Sequence, residues 1–90
     1  MANKITYWAI LGRGSTVDRP QGLLRRLDHD DGLEDEALRV NRDLSWGRTS
    51  LLIEAEHGND EEELVEVSHE QASKIVQYFR ERLAQQRAER

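Results

Sequence analysis

The sequence predicts an α+β fold: a small, mainly antiparallel sheet of three or four strands covered on one face by helices, in the order β-β-β-α-β-α. Three observations carry that reading. The chain opens on a run of β-branched and aromatic residues, KITYWAIL. A turn-rich HDDG then divides two stretches that can pair as a hairpin. The chain closes on an amphipathic helix that begins near Ser68.

Lys4 to Leu11 alternates Ile5, Tyr7, Ala9 and Leu11 against Thr6, Trp8 and Ile10. A strand places alternate residues on opposite faces. Both sets are largely apolar, so this strand is expected inside the sheet. Gly12 to Gly22 contains the only Pro and three Gly, and reads as a loop. Leu23 to Asp28 resumes an extended pattern, and His29 to Gly32 ends in Asp-Gly, a hairpin signal. Leu33 to Asn41 is composed of residues that also favour a helix, but its position after Asp-Gly favours the returning arm of a hairpin.

Ser45 to Arg48 is expected as a connection. Thr49 to His57 fits a short helix, capped by Thr49 or Ser50 and stopped at Gly58. An alternating strand is the other reading of that stretch. Asn59 to Glu63 is an acidic link, and Leu64 to Val67 is a short strand. Ser68 and Gln71 have the spacing of a capping box, in which each side chain satisfies a backbone N–H of the other end. Ala72, Ile75, Val76, Phe79 and Leu83 then recur at helical spacing. Residues 1–84 are expected to form one domain, with 85–90 fraying because QQRAER offers no large apolar side chain.

Composition narrows function mainly by exclusion. The 90 residues suit a single domain with a thin core. There is no Cys, hence neither a disulfide framework nor a thiolate metal site. No apolar run reaches the ~18–20 residues that span a bilayer, and Met1 to Lys4 lacks a signal-peptide layout. A cytoplasmic protein without membrane attachment is therefore expected. Net charge is −5, unevenly spread: residues 49–73 carry eight acids and no Lys or Arg. That acidic middle disfavours general nucleic-acid binding, which needs a basic face.

The order YWAILGRGS, GLLRR, DEALRVNRDLSW, TSLL, an acidic stretch and LVEVS leading into a helix resembles a group of small uncharacterised actinobacterial proteins, from Tyr7 to about Arg82. The resemblance implies no activity, cofactor, partner or site residue. In that group the part matching Thr49 to Gly58 looks more helical, which favours the helix reading.

No catalytic constellation is visible. Gly12-Arg13-Gly14-Ser15-Thr16 follows a strand, but Val17 breaks the G-x-G-x-x-G pattern and no G-K-[ST] follows. Asp28, Asp30 and Asp31 beside His29 lack calcium-loop spacing, because Gly32 falls where a ligand belongs. His29, His57 and His69 show no metal-binding spacing. No Ser lies in a G-x-S-x-G elbow. Neither an enzyme nor a cofactor or metal is expected.

Arg13, Arg25, Arg26, Trp46 and Arg48 form the candidate interaction surface. Arg25 and Arg26, adjacent on a strand, point to opposite faces. Trp46 with Arg48 has the composition of a binding hot spot. The leading expectation is a non-enzymatic interaction or accessory module with a protein partner. One alternative is an anion or phosphate site on Arg13, Arg25 and Arg48, the last beside a helix start. Another is an acidic nucleic-acid mimic built on residues 54–70. Against a binding role, the arginines have ample acids to pair with along the hairpin, among them Asp28, Asp35, Glu36 and Asp43.

Overall fold

A computed structural model describes residues 4–12, 14–40, 42–56, 58 and 63–88. Strands β1 (Lys4–Leu11), β2 (Gly22–His29), β3 (Gly32–Leu38) and β4 (Trp46–Arg48) precede helix α1 (Leu51–Glu56), strand β5 (Glu63–Val67) and helix α2 (His69–Ala88). The strands form one five-stranded sheet in the order β4-β3-β2-β1-β5, with every neighbouring pair antiparallel. The α+β class and the C-terminal helix are as expected, and β1 lies inside the sheet as its two apolar faces require.

The strand count and element order differ from the expectation of three or four strands in β-β-β-α-β-α. Residues 46–48, expected within a connection, form β4 on the margin of the sheet. Three residues carry no readable periodicity, and only pairing with β3 makes them a strand. Leu33 to Leu38 is strand rather than helix, joined to β2 by a tight turn at Asp30 and Asp31. Gly32, rather than either aspartate, takes the positive φ of 147° that this turn demands. Asn41, the expected end of this arm, lies outside the described residues.

Helices were expected on one face of the sheet, but they occupy both. Register explains this. One cross-strand row reads Val65, Ala9, Leu23, Leu38, Trp46. Ala9, Leu23 and Leu38 of that row bury against Ala72, Ile75 and Phe79 of α2. The row on the opposite face reads Glu66, Trp8, Leu24, Ala37, Gly47. There Ile10 and Leu24 bury against Leu52 of α1, with Trp8, Ala37 and Leu64 packed around them. Two apolar faces on β1 need two covers, and each helix supplies one.

Local capping agrees with sequence in part. Thr49 Oγ1 accepts the Leu51 N–H at 3.2 Å, and Ser50 C=O accepts the first helical bond from Glu54 N–H at 2.9 Å. Gly58, at φ 95°, stops the chain after α1 and donates its N–H to Ala55 C=O at 3.2 Å. At α2, Ser68 Oγ accepts the Gln71 N–H at 3.1 Å. The reciprocal half of the box is replaced: Gln71 Nε2 donates instead to Asp18 Oδ1 at 3.2 Å, tying the β1–β2 loop to the helix. Residues 85–88, expected to fray, continue α2 as helix.

Candidate functional site

The expected surface residues gather on β2 and β4, with the exception of Arg13, which lies outside the described residues. Arg25 and Arg26 stand on opposite faces, as their adjacency on a strand dictates. Each meets the acid that sheet register places across from it, Glu36 and Asp35 respectively.

On the α2 face, Arg25 Nη2 lies 2.6 Å from Glu36 Oε1, and its Nε donates to the same oxygen at 2.8 Å. The guanidinium then stacks over Trp46, with Cζ 4.1 Å from the ring centroid. Tyr7, the cross-strand partner of Arg25, also neighbours Trp46, its ring tilted 52° with centroids 6.3 Å apart. A cation over an indole face contributes about 0.5–2 kcal/mol, less when partly exposed as Arg25 is. Arg25, Glu36, Tyr7 and Trp46 therefore hold one another in fixed orientations. On the opposite face, Arg26 grips Asp35 with two bonds, Nε to Oδ1 at 2.7 Å and Nη2 to Oδ2 at 3.1 Å. Its Cζ lies 6.0 Å from the Trp8 ring.

Arg48 is the outlier of the group. Its side chain is 88% exposed, and Glu34 Oε1 lies 3.6 Å from its Nε. An ion pair so exposed contributes little, so Arg48 can turn toward a partner at small cost. Trp46 by contrast is half-buried and forms a wall of a cleft of about 380 Å³ between the sheet and α2. Tyr7, Ala72, Ser73, Val76, Gln77 and Arg80 complete its lining. The cleft thus has an aromatic wall, an aliphatic wall and one cationic side chain at its mouth.

The loop leading into β4 is organised from within. Asp43 Oδ1 accepts the Ser45 hydroxyl at 2.7 Å and the Ser45 N–H at 3.1 Å. The Ser45 hydroxyl, then its N–H, hold the Asp43 carboxyl below the usual carboxylate range. Arg39 Nη1 donates to Ser45 Oγ at 3.1 Å, and the Arg39 guanidinium lies where a Cβ on Gly47 would collide with it. A side chain at 47 would have to displace only the flexible end of the exposed Arg39 side chain.

The other candidates do not converge. Arg25 and Arg48 share a cross-strand row, but Glu36 stands between them in the pairing, so the positive charge is interrupted by a carboxylate. His29 Nε2 contacts Glu34 Oε2 at 3.2 Å, and His69 Nε2 contacts the Ile5 carbonyl oxygen at 3.0 Å. His57 lies outside the described residues, and among those described no cluster of three or more His, Asp or Glu could hold a metal ion. Sequence reasoning missed the roles of Tyr7 and Arg80. Neither has a local signal, because the cleft forms only when α2 docks across the sheet. No family model, curated protein or solved structure matches the chain.

Proposed function

We propose that the chain is a non-enzymatic protein-interaction module whose contact surface is the β4 margin of the sheet, with Trp46 as anchor and Arg48 as a rim contact. The observation that carries this reading is the fixed Trp46 ring, held by Tyr7 and by the Arg25–Glu36 pair at the wall of an open cleft. A large aromatic held rigid before binding loses little conformational entropy on association, which is what a hot-spot residue requires. The neutralisation of Arg25 by Glu36 and of Arg26 by Asp35 favours this over the anion-site reading.

The test is capture of partners from lysate by the wild type and by the double variant Trp46→Ala/Arg48→Ala. Capture is expected to fall at least tenfold, since hot-spot truncations cost about 2 kcal/mol or more. Should the Trp46 change unfold the domain, Arg48→Glu with Arg80→Glu alters only exposed side chains and reverses the charge at the β4 margin and at the α2 side of the Trp46 cleft. Undiminished capture by folded variants removes this surface from consideration.

A further inference from the structure

Two large apolar side chains stand out on the described surface: Leu33 is 59% exposed and Ile53 is 50% exposed. Single exposed apolar side chains are ordinary. These two come from β3 and α1, yet they line one cleft of about 370 Å³ together with Asp31, Glu34, Asp35 and Arg48. Their convergence is a property of the tertiary fold, not of either element.

The same cleft runs along an open backbone edge. β4 pairs only with Glu36–Leu38 of the longer β3. Thr49 N–H donates to Asp35 C=O at 3.1 Å, so the Asp35 backbone faces the β4 side. Alternation along a strand turns the N–H and C=O of Leu33 to that side as well. β3 therefore extends past its neighbour and presents the N–H and C=O of Leu33 to an extended chain, while the flanking Gly32 and Glu34 pair with β2. Strand addition of this kind takes affinity from the backbone and specificity from alternate side chains.

Charge identifies the chain that fits. Asp35 is engaged by Arg26, while Glu34 lies 3.2 Å from His29 and 3.6 Å from Arg48. Asp31 and Glu54 flank Leu33 and Ile53 as exposed carboxylates. With acids outnumbering bases around the apolar pair, basic residues are complementary to the rim. We infer that this edge binds an extended segment of a partner protein in which an apolar side chain is flanked by Lys or Arg, seated as an added strand beside Leu33. The apolar contacts of the two surfaces are separate, since neither Leu33 nor Ile53 lines the Trp46 cleft, while Arg48 stands at the rim of both surfaces.

Selection of phage-displayed random heptapeptides against the full chain at low salt, followed by titration of the recovered peptides, tests it. Recovered sequences are expected to place Lys or Arg beside a β-branched or aromatic residue, and binding should weaken as salt rises. Leu33→Ser and Ile53→Ser, both at exposed positions, are expected to keep the wild-type circular dichroism. Each should weaken binding at least about tenfold, the effect of losing one buried aliphatic contact. Trp46→Ala, once shown to keep the wild-type circular dichroism, should leave the peptide affinity unchanged. Failure to recover binders, binders without basic residues, or binding insensitive to both serine variants overturns the inference. Binding abolished by Trp46→Ala but kept by the serine variants also overturns it, while supporting the β4-margin surface. A self-association of the chain that both serine variants abolish assigns the edge to a second copy and overturns it too.

Discussion

Leu44 is the one described non-glycine residue in the left-handed region, at φ 59°. An L side chain there is disfavoured by roughly 1–2 kcal/mol. The cost is offset because the turn returns the chain to β4: Leu44 N–H donates to Arg39 C=O at 3.1 Å, and the Leu44 side chain packs against the α2-side core. Truncation separates the two contributions. Leu44→Ala keeps the strain and loses the packing, whereas Leu44→Gly loses the packing and relieves the strain. In urea unfolding, the Gly variant is expected to be the more stable of the two by about 1 kcal/mol. The reverse order, normal in ordinary backbone, would show that the left-handed turn is not adopted. Nothing in the sequence marks Leu44 for this conformation. Asp43 beside it is a residue type that favours it, and the hydrogen bonds of the closed loop override that preference.

At the scale of elements, α2 was the most legible part of the chain. Its start is set by a serine oxygen on a backbone N–H, and its docked face by Ala72, Ile75 and Phe79 at helical spacing. Both signals are local, so the sequence contains them whole. Phe79 is 2% exposed at the centre of the larger core cluster. Phe79→Ala is expected to lower unfolding free energy by about 3–5 kcal/mol, a large part of the roughly 5–13 kcal/mol typical for a chain this long. A loss below about 1 kcal/mol, measured by denaturant titration, would mean that the stripe does not dock on the sheet. β4 was the least legible element, because three residues hold neither a period nor a cap. Trp46 could be picked out as a large aromatic beside Arg48, but not the Tyr7 and Arg25 that fix its ring.

For the whole molecule, the sheet separates two small cores instead of closing on one. Ala9, Leu23 and Leu38 serve α2, while Ile10 and Leu24 serve α1. Side chains in separate clusters on opposite faces share no packing partner, so their contributions should add. Ile75→Val and Ile10→Val are each expected to cost about 0.5–1.5 kcal/mol, and the double variant should match their sum within about 0.5 kcal/mol. A larger coupling would show that the faces repack together through β1. Among the described residues no helix is long and apolar enough to cross a membrane. With cores this thin, contact surfaces are expected at the sheet margin rather than in a deep interior pocket. Both surfaces considered above, the Trp46 cleft and the Leu33–Ile53 edge, lie there.

Sequence by itself determined the α+β class, the β2–β3 hairpin, the start and docked face of α2, and the glycine stop after α1. Each depends on residues within a few positions of one another, where capping, turn chemistry and periodicity act. The tertiary structure decided that β4 is a strand, that helices cover both faces, and that Arg25 and Arg26 each meet an acid. It also decided that Leu33 and Ile53 meet at one open edge. These outcomes depend on pairing register and helix docking, which join residues far apart in the chain. A single shift of register would exchange the faces of every strand involved, and no local pattern records it.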